Sequence, residues 1–138
     1  MEICSIYLSF EPSNPILLTE YAYLACLLDA VEPAKLLPPL EMMAAAFPKQ
    51  FPVHITLAAV LLSDGQPAKA AGVLAPFDLE NRQLPPTSRV VILAIEFQNG
   101  SIPADDPRIR DFPWNDLTLA ERRKFGAMLR TNADHKDK

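Results

Sequence analysis

Glycine, histidine and cysteine are all scarce in this 138-residue chain, and each shortage closes off a kind of chemistry. The four glycines are scattered, so neither a dinucleotide-binding fingerprint nor a phosphate-cradling loop can be written on them. The two cysteines, Cys4 and Cys26, are too few for a disulfide scaffold. Both sit among apolar neighbours and read as buried thiols of a reducing compartment. With His54 and His135 they give four soft ligands, but far apart in sequence and without the short paired spacing of a metal cluster. No cofactor is implied. Nucleophilic triads fare no better. The Gly-x-Ser-x-Gly elbow is missing, and Cys26 falls in an apolar helix that disfavours its thiolate.

Positive charge and long apolar runs are also in short supply. The formal net charge is −4, which disfavours nonspecific nucleic-acid binding, where charge neutralisation supplies much of the affinity. The charge is uneven: nine acids face three lysines in residues 1–80, and ten bases face eight acids in residues 81–138. An acidic front and a basic back can meet within one fold or between two copies of the chain. The longest apolar run, near Ala58–Leu62, is far short of the roughly 20 residues of a membrane-spanning helix. The opening MEICSIYLSF has an acid at Glu2 and no basic region, unlike a secretory leader. The expected location is the cytoplasm, with no membrane contact.

What the chain does have is apolar residues, 49% of the total, enough for a sizeable core. Three stretches read as strands. In MEICSIYLSF, Cys4, Ile6, Leu8 and Phe10 share an apolar face. VHITLAAVLL, residues 53–62, ends at the turn signal Asp64–Gly65, and SRVVILAIEFQNG ends at Asn99–Gly100. GVLAPFDLE, interrupted by Pro76, reads as a broken or edge strand. Helices are expected over TEYAYLACLLDAVEP with Thr19 as cap, around Leu40–Phe47 behind Pro38 and Pro39, and over DLTLAERRKFGAMLR. In the last, Thr118 and Glu121 fit a capping box. The resulting expectation is one α+β domain over residues 1–130, followed by a disordered tail at 131–138. An antiparallel or mixed sheet of about four strands would pack with two to three helices.

One motif suggests a reaction. On a strand His54 and Thr56 lie side by side, a histidine for proton transfer and a hydroxyl for a phosphate oxygen. HITL resembles the His-x-Thr-x element of the two-histidine phosphoesterases, which act on 2′,5′ or cyclic phosphate linkages. That resemblance implies a second such element on a neighbouring strand. The only other histidine, His135, has no hydroxyl two residues later.

A second stretch suggests binding. DPRIRDFPWN places Arg108, Ile109, Arg110, Phe112 and Trp114 together, residue types enriched at protein interfaces. They either pin the arm to its own domain or grip a second chain. Met42 and Met43 form a bulky, adaptable pair, suited to core filling or to the wall of a partner groove. With so little catalytic equipment, the functional expectation is a non-catalytic protein-interaction domain: an adaptor, inhibitor or assembly component, bound to another protein or self-associating as a homodimer. The alternatives are a small hydrolase or phosphoesterase centred on His54 and Thr56, and a small-molecule-binding domain.

Overall fold

Prolines open the helices of this protein. In the computed structural model, which describes residues 15–79, 83–103 and 105–136, the chain folds into α1 (Pro15–Leu27), α2 (Pro33–Ala46), α3 (Phe51–Ser63), α4 (Pro67–Leu74), α5 (Pro86–Gln98), α6 (Pro107–Arg110), a 3-10 turn at Trp114–Asp116 and α7 (Leu119–Lys136). Helices α2 to α6 each carry proline in their first two positions. There its missing N–H is one the helix would leave unpaired anyway, and its fixed φ already suits the helix. Among the described residues no helix is long and apolar enough to cross a membrane.

The α+β expectation is therefore corrected to an all-helical fold, with no strand among the described residues. The first expected strand, residues 1–10, lies outside them. The other two long ones are helices α3 and α5, and the described part of the broken one, residues 72–79, falls on the end of α4 and the turn after it. The cause is visible in α3. It buries Val53, His54 and every residue from Thr56 to Leu62. A helix apolar all round has no 3.6-residue stripe, and periodicity alone cannot tell it from a buried strand. Its 13 residues are long for a strand.

Asp64–Gly65 and Asn99–Gly100 are helix stops rather than hairpin turns. Gly65 has φ of 76°, its N–H donates to Leu62 O at 3.1 Å, and the Gln66 N–H donates to Leu61 O at 2.9 Å. Gly100 repeats this with φ of 75°, donating to Phe97 O at 3.0 Å while Ser101 donates to Glu96 O at 2.8 Å. Both pairs form the Schellman motif, which satisfies carbonyls the helix end leaves free. Asp29, at φ of 53°, closes α1 through the same pair of bonds. Nothing lies within 4 Å of a Cβ built at Gly65, so a side chain there meets a torsional cost and no clash. Gly65→Ala is expected to lower stability by about 1–2 kcal/mol, read as a shift in the urea midpoint at constant slope. A shift below a third of that would sink the account.

Two helix boundaries differ from expectation for related reasons. Thr19 lies inside α1, because Pro15 lets the helix begin a turn earlier. Helix α2 starts at Pro33 and runs through Pro38 and Pro39, leaving the carbonyls of Ala34 and Lys35 without their helical donors. Burial of Leu36, Leu37, Leu40, Met43 and Ala44 on one side of α2 offsets that loss.

The chain divides into two compact units, Met1–Phe77 and Asp78–Lys138. In the first, α3 packs against α1, α2 and α4, and α1 also meets α2. Connections of a few residues join consecutive helices, as expected for neighbours in a helical stack. In the second unit α5 packs against α7, and Gln98 Nε2 donates to Met128 O at 2.9 Å. The capping box forms as expected: the Thr118 N–H donates to Glu121 Oε1 at 2.9 Å, and the Glu121 N–H donates to Thr118 Oγ1 at 3.2 Å.

Candidate functional site

Helix α5 uses two faces. Val90, Val91, Ala94, Ile95 and Phe97 are buried. Arg89, Ile92, Leu93 and Glu96 form a second stripe, at i, i+3, i+4 and i+7. This second stripe is one side of a groove of about 420 Å³. Leu79 and Leu84 also line it, and Pro107, Arg108, Asp111, Phe112 and Pro113 of the arm complete it.

The arm is held to α5 by charge and by an aromatic contact. Arg108 reaches Glu96 Oε2 at 3.3 Å from Nη1 and Asp106 Oδ1 at 3.2 Å from Nε. Asp106 also caps the four-residue α6, accepting from the Arg108 backbone N–H at 2.8 Å. Phe112 is buried; its ring lies 5.1 Å from that of Trp114 and 5.5 Å from the Arg89 guanidinium. The arrangement is a charged staple at one point and a tilted aromatic pair at another.

The Arg108 side chain, then its backbone N–H, hold the Asp106 carboxyl below the usual carboxylate range. A depressed folded-state pKa means that this contribution to arm order is complete above the ordinary aspartate pKa of about 3.9. It is lost as pH falls through the folded value. An NMR titration of the Asp106 side-chain carboxyl should find it ionised below pH 3.9, and Arg108→Gln should move its midpoint upward. An unchanged midpoint in the variant would show that Arg108 does not hold this carboxyl.

The residues singled out from the sequence separate as follows. Arg108 and Phe112 line the groove. Ile109 and Trp114 are half-buried, and the exposed Arg110 pairs with Asp111 at 3.6 Å. Met42 is 75% exposed and Met43 buried, both on α2 in the other unit. A strand reading scatters Arg89, Ile92 and Glu96 over two faces and so hides them. The helical spacing 89, 92, 93, 96 was the signal that finds them.

His54 and Thr56 are both buried, on α3. Residues two apart on a helix point roughly 200° apart, so the side-by-side placement expected on a strand is lost. The His54 ring packs on Phe77 at 4.9 Å, and Nδ1 lies 2.8 Å from Gln50 O, an acceptor that fixes the proton on that nitrogen. Cys26 Sγ donates to Ser63 Oγ at 3.1 Å. Among the described residues, every buried side-chain nitrogen and oxygen has a partner. Also among them, no three His, Cys, Asp or Glu side chains stand close enough together to hold a metal ion. Cys4 lies outside the described residues.

The chain matches no protein-family model, no curated protein and no solved structure.

Proposed function

We propose that the chain is a non-catalytic protein-interaction domain that receives a polypeptide in the groove between α5 and the arm. The observation that carries this reading is the second stripe of α5. Leu93 is buried, and Ile92 is half-buried in a groove that the arm borders. Its lining combines buried or half-buried Leu84, Ile92, Leu93 and Phe112 with the charged Arg108, Asp111 and Glu96, a mix that suits a protein interface. Arginine and aromatic residues are the types that most often dominate such contacts.

A small molecule is a weaker match. Such sites enclose most of the ligand's surface, whereas Arg89, Pro107, Arg108 and Asp111 are all exposed at this one.

The test is site-directed photocrosslinking of the full chain in its host cells. A benzophenone side chain at Leu84, in the groove lining, should yield a polypeptide adduct; the same group at the exposed Lys69 of α4 should not. Equal adducts at both positions, or none at Leu84, would overturn the reading. The adduct's mass tells whether the occupant is a second copy of the chain or a different protein.

A further inference from the structure

We propose that the occupant is an acidic peptide segment: one carboxylate side chain pairs with Arg89, and aliphatic neighbours cover Leu84, Ile92 and Leu93. The inference rests on the groove reading and adds the chemistry and polarity of the ligand.

Two arginines of the arm are already engaged. Arg108 is held by Glu96 and Asp106, and Arg110 by Asp111. Arg89 differs. No carboxylate among the described residues stands within 4.0 Å of it, and its guanidinium lies over the Phe112 ring, 5.5 Å from the centroid. A ring near the guanidinium restricts it without using its N–H donors. A guanidinium offers five such donors in a planar fork that fits a carboxylate with two parallel hydrogen bonds. Arg89 is thus oriented and still open to an acceptor.

The same inventory selects a carboxylate over a phosphorylated peptide. Phosphate recognition draws on clusters of arginine, and the second arginine of this groove is committed to Glu96 and Asp106. It also sets a direction. Glu96 lies seven residues after Arg89 on the same stripe, roughly 10 Å along the axis. There Glu96 and Asp106 share the single positive charge of Arg108, so the far end carries an excess of negative charge. An acid on the ligand is attracted at the Arg89 end and repelled at the Glu96 end, so its position in the peptide matters as well as its presence.

The experiment is a selection of random twelve-residue phage-displayed peptides on the full chain. The winning peptide is then synthesised and its affinity measured by fluorescence anisotropy. It should contain Asp or Glu beside Leu, Ile or Phe. Arg89→Ala should weaken it about tenfold or more, and replacing its acid by lysine should restore affinity for Arg89→Glu. Moving the acid three residues toward the Glu96 end should also weaken it. If the peptide is lost with Ile92→Glu but indifferent to Arg89→Ala, the acidic anchor is wrong and the groove reading stands. If it is indifferent to Ile92→Glu, or if no peptide is selected, both fall. Circular dichroism confirms that each variant is folded, and Leu84→Glu replaces Ile92→Glu should the latter unfold.

Discussion

Phe112→Ala should destabilise the protein by about 3 kcal/mol and abolish binding in the groove. Full truncation of a buried phenylalanine costs about 3–5 kcal/mol, and the low end applies because this ring also borders the groove. Phe112 is 7% exposed. Its removal takes away the partner of Trp114 and the surface that orients Arg89. The salt bridges from Arg108 cannot substitute, since the Arg108 side chain is 56% exposed, and exposed pairs contribute little. Phe112→Leu keeps most of the volume and should cost less than half as much. Urea denaturation of the full chain measures both. A loss under about 1 kcal/mol for alanine would mean that the arm is held by something other than this ring.

Leu61→Ala should lower stability by about 2–5 kcal/mol. Leu61 is 1% exposed on α3, which touches the three other described helices of its unit, so a cavity there is lined by side chains with little freedom to collapse. Leu61→Met, which conserves volume, should cost under about 1.5 kcal/mol. The comparison with Ile55 makes the prediction specific to a helix. On a strand, positions 55 and 61 share a face. On α3, Ile55 is half-buried and Leu61 is not. Ile55→Ala should therefore cost clearly less than Leu61→Ala, and equal losses in thermal or urea unfolding would contradict the helical placement.

These two helices also show what could be read from the sequence. That residues 53–62 and 89–98 belong at the centre of something was legible, because segments apolar on both sides need neighbours on both sides. Their type was not. The β-branched Val53, Ile55, Thr56 and Val60 favour a strand locally, and burial against three helices overrides that preference. The Asp-Gly and Asn-Gly pairs marked real turns, but a left-handed residue closes a helix as readily as it turns a hairpin. Proline suits a loop and the first turn of a helix alike, and Pro15, Pro33, Pro52, Pro67, Pro86 and Pro107 take the second place. The Thr118–Glu121 capping box was legible because it is local and has one geometry. Of the groove, the arm's half stood out by composition: Arg108 and Phe112 are unusual company. The α5 half was hidden by the wrong period. The open state of Arg89 could not be read at all, since it depends on which carboxylates the fold has already assigned to Arg108 and Arg110.

Trp114 is the chain's single tryptophan, half-buried and tilted against a ring that lines the groove. The site therefore carries its own chromophore. Selective excitation of the indole observes the arm and little else, and a ligand seated against Phe112 should change its emission without any label. Residues 1–77 contain no tryptophan and contribute no indole signal of their own. An emission change on titration would thus report on events around the arm, and loss of helix without it would report on the other unit.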